Sequence, residues 1–289
     1  MQNALSPIET GSLESPTSSS SLSVGDLERG LLALFPAEDA CDWDRTGLLV
    51  GDASAEVTGV FVALDPTIAS MKQALAAGCN VLLTHHPVYL DAPVGFYPDC
   101  RKGETPGARV AFALSHGLAC MNFHTALDVS VEGLSVLPRM LRLCCLAPLE
   151  PLCEGSRKGF VMLADAGGSL SLDELALRCV SVNHEHPRVW GDGSRTVRKI
   201  AVSGGSANSF LGTCLSLGVD CLVCGEVGYH AALDASASGL AIIELGHDVS
   251  EMPLCAVLAS AVSQVGVSDS CITMVPAEYA WHTPESYRR

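Results

Sequence analysis

The chain has 289 residues, 48% of them hydrophobic and 17% charged, with mean hydropathy +0.31. That is enough apolar material for one large or two smaller packed domains, and it excludes a chain disordered throughout. No apolar run reaches the roughly 18 residues that a bilayer-spanning helix needs, and a net charge of -15 repels phosphate backbones and speaks against non-specific nucleic-acid binding.

Residues 1–23 are Ser-rich without apolar periodicity and read as a flexible tail. Leu27, Leu31, Leu32 and Leu34 then fall at helical spacing and predict an amphipathic helix over residues 24–35. Short apolar runs alternate with helical patterns from there: a strand over 60–64, a helix near 67–77, a strand over 81–83, a helix near 107–115 and a strand over 119–123. This alternation predicts an α/β fold. Residues 160–164 read as a strand and 172–180 as a helix, capped by Ser171 with Glu174 three residues on. The thirteen cysteines are odd in number, and the N-terminus lacks the basic, apolar, small-residue order of a secretory signal. Reduced thiols in a cytoplasm are therefore expected. Cys221 and Cys224 form a C-x-x-C inside an apolar run, where a strand would point them to opposite faces. No second pair completes a zinc site, so these two, with Cys144 and Cys145, are expected to be core thiols.

An internal repeat organises the chain. Ala77-Gly78-Cys79-Asn80-Val81-Leu82-Leu83, followed by Thr84-His85-His86, has a counterpart in Leu217-Gly218-Val219-Asp220-Cys221-Leu222-Val223, followed by Cys224-Gly225-Glu226. Gly117-Leu118-Ala119 opens a run to His124, and Gly239-Leu240-Ala241 opens one to His247. A carboxylate follows each histidine by four residues, Asp128 and Glu251. The expectation is two related α/β halves, 24–150 and 151–289, with mixed sheets flanked by helices and a metal site between them.

His85-His86-Pro87 follows an apolar strand, and carboxyl ends of strands are where α/β folds bind ligands. If helical, the i, i+4 spacing of His124 with Asp128 and of His247 with Glu251 sets each pair on one face. Ser250 could instead cap a helix beginning at Glu251 and leave His247 in a loop. Imidazole and carboxylate without thiolate suit zinc, iron, manganese or cobalt, and a bridging carboxylate is the natural way to hold two such cations. Glu226 stands at the repeat position of His86, either as a base or water-orienting group or as a carboxylate at a helix start. Weaker candidates are His184, Glu185 and His186 before Pro187, His230 at a helix start, and Gly204-Gly205-Ser206 as a backbone anion cradle.

These residues resemble the Nif-three-like dinuclear metal centre family, which often carries the name GTP cyclohydrolase type 2. The matching stretches are Asp42-Trp43-Asp44-Arg45-Thr46-Gly47-Leu48 with Val50-Gly51, Val62-Ala63-Leu64-Asp65, Thr84-His85-His86-Pro87, His124-Thr125-Ala126-Leu127-Asp128, Gly225-Glu226 and Gly246-His247 through Glu251. They run in the family's order over about residues 24–263. The family usually has Asn where Arg45 stands, and its longer members carry an inserted domain that this chain has no room for. The resemblance implies two divalent metal ions per chain, one held by His86 and Asp128, a second by His85 and His247, with Glu251 bridging. It places His124 nearby as a surrounding or proton-transfer group, and it implies a homohexameric ring of dimers and a metal-dependent hydrolase of a nucleotide-like or other small substrate, with GTP ring opening the reaction the family is named for. A non-catalytic metal-binding ring scaffold that stores metal, or a regulatory protein that engages a partner, is the alternative.

Overall fold

The computed structural model describes residues 22–97, 104–183, 186–274 and 281. Two mixed sheets carry the chain. In the first, β2 (Val60–Ala63), β3 (Val81–Thr84) and β4 (Ala119–Asn122) run parallel, β1 (Gly47–Val50) pairs antiparallel with β4, and β11 (Ile272–Met274) pairs parallel with β2. In the second, β5 (Cys144–Pro151), β6 (Gly159–Ser171) and β8 (Thr196–Val202) are antiparallel neighbours. They lead into a parallel set of β8, β9 (Cys221–Cys224) and β10 (Ala241–Glu244), edged by β7 (Arg188–Trp190).

The core strands β2, β3, β9 and β10 are buried at every position, which is why they read as continuous apolar runs rather than alternating ones. Helices cover both faces of each sheet. The first sheet packs α1 (Val24–Leu34) and α9 (His247–Val265) on one face through Leu27, Leu31, Leu254 and Leu258, and α2 (Ile68–Ala76) and α3 (Pro106–Ser115) on the other through Met71 and Val110. The second packs α5 (Val131–Met140) and α6 (Leu172–Asn183) on one face, and α7 (Leu211–Ser216) and α8 (Tyr229–Ala237) on the other. Local signals start these helices as expected. Ser23 closes a capping box with Asp26 on α1, so this residue of the expected tail already belongs to the fold. Ser171 and Glu174 form the second box at α6.

The repeat is real in register. Val81 pairs with Ala119 in the first sheet and Cys221 with Ala241 in the second, the residues that the two matched stretches align. The same register sets His124 level with Gly246, the residues capping α4 (Thr125–Asp128) and α9, so His124 and His247 are one position out of step. The change of sheet also falls before 150, because β5 starts at Cys144, and α9 with β11 returns from the second half to complete the first sheet.

Cys221 and Cys224 are buried on opposite faces of β9, in separate core clusters. Burial pushes both thiols well up from their ordinary value. Cys144 and Cys145 depart from expectation: Cys144 is exposed and Cys145 only half-buried, because β5 is the edge strand of its sheet and packs only part of its length. Every described cysteine is free, and no helix among the described residues is long and apolar enough to cross a membrane.

Candidate metal centre

Backbone pairing carries the chain past the end of β3, with the His85 and His86 amides donating to Ala63 and Leu64 carbonyls at 3.3 and 3.0 Å, and holds both imidazoles at the carboxyl edge of the first sheet. Just beyond the end of β4, Phe123 leads to His124, and one turn of α4 delivers Asp128. α9 begins at His247, not Glu251: Ser250 sits inside its first turn, its hydroxyl donating to the His247 carbonyl at 2.7 Å. His247 and Glu251 therefore share a helix face, with Nε2 and Oε2 3.2 Å apart.

Glu251 is the centre of the cluster, its side chain only 6% exposed. His86 Nε2 lies 3.0 Å from its Oε2, on the same oxygen as His247, while His85 Nε2 lies 3.9 Å from its Oε1 and 3.6 Å from Asp128 Oδ1. The distances thus pair His85 with Asp128 and His86 with His247 on the two oxygens of one carboxylate, the reverse of the pairing that the resemblance implies.

The other ring nitrogen of each imidazole is already committed. His85 Nδ1 donates to the Phe123 carbonyl at 3.1 Å, His86 Nδ1 to Asp65 at 2.8 Å, His247 Nδ1 to Glu226 at 3.1 Å and His124 Nδ1 to Asp44 at 3.1 Å. Such partners turn Nε2 of each ring away from its anchor and, once the ring is neutral, make it the lone-pair nitrogen, the arrangement found behind metal-bound histidines. Two sets, His85 with His86 and His124, and His86 with His247 and Glu251, have ligand atoms within 4.8 Å of one another. His85 Nε2 is fully buried without a hydrogen-bond partner, an orphan that a cation would satisfy. The residues present therefore fit a metal ion.

Charge gathers as this geometry dictates. Burial alone would raise Glu251, yet the close His247 and His86 nitrogens, with the His85 imidazole nearby, hold it well below the usual carboxylate value. Burial lowers His86, but Asp65 and Glu251 overcome it and push it up to about 10, and the Glu251 bond lifts His247 to about 9. Burial opposes ionisation of Asp44 too, but bonds from His124 and Thr125 bring it down to about 2. Without metal, His86 and His247 thus keep protons at neutral pH that a cation must displace. Zinc titration at pH 7.5 in two buffers of different ionisation enthalpy should report about two protons released per chain, with affinity falling from pH 8 to pH 6. Heats independent of the buffer would contradict this charge state.

Asp44 and Asp65 received no role from spacing. Asp65 carried a signal, because it follows the end of β2 as His86 follows β3; Asp44 reaches His124 and Thr125 from about eighty residues away and carried none. Glu244 was also missed: buried at the end of β10, it accepts from Trp190 Nε1 at 2.7 Å and the Val227 amide at 3.1 Å and so fixes the loop that carries Glu226. Glu226 precedes α8 by three residues, outside its first turn, and its carboxylate faces His247 Nδ1. His230 is exposed and packs on Tyr229, His186 is exposed, and His184 and Glu185 lie outside the described residues. Gly204 and Gly205 pack against Glu251, so close approach to the carboxylate accounts for these two glycines.

A cavity of about 530 Å³ opens beside the cluster, with His124, Asp128, His247 and Glu251 in its wall. With this geometry in hand, the relatives can be placed. A profile of the Duf34/NIF3 family (NGG1p interacting factor 3) matches residues 22–276. The chain belongs to the Duf34/NIF3 family. A Streptomyces coelicolor relative named GTP cyclohydrolase 1 type 2 homolog is 31% identical over 240 residues, covering 81% of this chain and 83% of its own length. A Clostridium acetobutylicum protein of the same name is 27% identical over 244 residues, covering 83% and 89%. Among solved structures, a Staphylococcus aureus hypothetical protein superposes with TM-score 0.79 at 21% identity, covering 90% of this chain and 100% of that one. A Bacillus cereus protein related to NIF3 superposes with TM-score 0.77 at 18% identity, covering 92% and 99%. These two structures show that the chain has the fold of NIF3-family proteins.

Proposed function

We propose that this NIF3-family chain is a hydrolase of a small molecule that works with two divalent cations, zinc, iron, manganese or cobalt. The observation that carries this reading is the convergence of three imidazole Nε2 atoms on the two oxygens of buried Glu251, one of those nitrogens otherwise unpartnered. His85 and Asp128 would hold one cation, His86 and His247 the other, and Glu251 both. The pair would supply Lewis acidity toward a substrate carbonyl and activate water at neutral pH.

The chain's own groups do the rest. Asp65 and Glu226 keep the His86 and His247 rings turned toward Glu251. His124 lines the cavity, its ring centroid 5.1 Å from that of His85 and its Nδ1 anchored on Asp44, which leaves Nε2 to accept a proton from water and return it to a leaving group. Trp43 packs edge-on against the same ring at 5.7 Å and limits its rotation.

Elemental analysis after reconstitution should give close to two ions per chain, and a nucleotide and cyclic-amide panel should reveal metal-dependent turnover. His124→Ala should leave the metal content unchanged while turnover falls roughly hundredfold. Two tightly bound ions without turnover on any compound would favour the non-catalytic metal-binding reading instead, and a metal content near zero would end both.

A further inference from the structure

The wall of the cavity beside the cluster joins two groups of different chemistry. One is the histidine and carboxylate cluster. The other lies where β5 and β6 pair, and there Glu150 stands directly across from Phe160, so their side chains share a face. Phe210 stacks on Phe160 with ring centroids 6.0 Å apart and planes 25° from parallel, and both rings line the cavity with Leu137 of α5.

Glu150 is unusual in this wall. It accepts the Thr213 hydroxyl at 2.7 Å on Oε1, and among the described residues no ion pair engages it. No lysine or arginine lines the cavity among the described residues, whereas three carboxylates do, Glu150, Asp128 and Glu251. A polyphosphate chain would enter against those charges and the net charge of -15 with no guanidinium or ammonium in the wall to receive it. A carboxylate beside stacked apolar rings is instead matched to N–H donors on the edge of a planar ring: the ring covers the phenyl groups, and its N–H groups give the charged acceptor its bonds. An ammonium ligand fits less well at Glu150, because it would lose its hydration against one carboxylate beside apolar rings.

We infer that the cavity takes an uncharged, planar nitrogen heterocycle whose N–H edge is bound by Glu150 and whose carbonyl side faces the wall formed by His124, His247 and Glu251, without recognition of a polyphosphate chain. This rests on the proposed hydrolase reading for what happens at the cluster, but the binding step belongs to Glu150 and the aromatic wall and does not require metal. The volume of about 530 Å³ lies within the range of small-molecule sites.

The test is calorimetric titration of the full chain, once metal-loaded and once with chelator, with guanosine, 1-methylguanosine, uracil, benzylamine and GTP, alongside metal content and melting temperature. Guanosine or uracil should bind both forms. Methylation at N1 should weaken guanosine, GTP should bind the chelated protein no more tightly than guanosine, and Glu150→Gln should cost roughly tenfold with metal content and melting unchanged. Glu150→Ala, whose side chain is only half-buried in the parent, checks that the loss follows the carboxylate. The inference is overturned if neither heterocycle binds, if Glu150→Gln binds as the parent does, if benzylamine binds more tightly than both heterocycles, or if GTP exceeds guanosine tenfold in chelator. Heterocycle binding by a chain that takes up no metal would support it and sink the hydrolase reading, and metal uptake with no heterocycle binding would do the opposite.

Discussion

Glu251→Gln should reduce the bound metal from about two ions per chain to one or none and weaken whatever remains by roughly a hundredfold or more. Replacing a group that merely orients a metal-bound histidine already costs 10–100-fold, and Glu251 is inferred to touch both cations directly. Its oxygens sit 3.0 Å from His86 Nε2, 3.2 Å from His247 Nε2 and 3.9 Å from His85 Nε2. Gln keeps the volume but replaces one oxygen with an NH₂ that offers no lone pair, and it removes the negative charge that lets two cations lie close together. His85→Ala should weaken mainly one site, because His86, His247 and Glu251 remain for the other. Titration of the metal-free variants with zinc or manganese separates the two cases. If Glu251→Gln kept both ions at parental affinity while His85→Ala lost both, Glu251 would not be the shared ligand.

Which parts of this arrangement the sequence disclosed follows from the range over which each signal acts. The strand ends that bear His85, His86 and Glu226 were visible because buried parallel strands are short apolar runs and the repeat aligned them; the residues it matches hold equivalent ladder positions. The i, i+4 face of His247 and Glu251 was visible because helical spacing is local, although Ser250 left the helix start open. Asp44 was not visible in the same way: a carboxylate that reaches an imidazole from a loop of distant sequence leaves no period to read. The return of α9 and β11 to the first sheet was hidden for a related reason. The Leu254 and Leu258 face of α9 does not state which of two similar sheets it covers, and a repeat makes the second half look self-contained. The exposed Cys144 shows the limit of composition: cysteine favours cores, but an edge strand leaves part of its length uncovered. The one-residue offset between His124 and His247 has a consequence for the chemistry. His124 occupies the capping position before its helix and His247 the first position within one, and of the two pairs it is His247 and Glu251 whose side chains meet, Nε2 3.2 Å from Oε2.

Gly205→Ala should damage the metal centre although position 205 bears no ligand. Gly205 has φ +55°, in the left-handed region, where a side chain costs about 1 kcal/mol. A Cβ there would lie well inside 3.0 Å of Glu251 Oε1, with Glu251 Cδ at 3.3 Å and His247 Cε1 at 3.4 Å. An exposed glutamate would swing aside at little cost. Glu251 is buried, and its other oxygen is already shared by His86 and His247, so moving the carboxylate breaks the geometry that draws the imidazoles together. Retreat of the 203–206 turn is blocked as well: the Gly205 amide donates to Ser250 Oγ at 3.0 Å and its carbonyl receives the Glu226 amide at 3.0 Å. The expected result is a fold destabilised by roughly 1–3 kcal/mol and metal affinity lowered at least tenfold. Gly212→Ala is the control, because a Cβ on that α7 glycine meets nothing within 4 Å and alanine is the better helix former by roughly 1 kcal/mol; it should bind metal as the parent does and melt no lower. Parental metal affinity and melting temperature in Gly205→Ala would show that Glu251 is free to reposition, and the reading of its carboxylate as a fixed bridge between two cations would fall with that result.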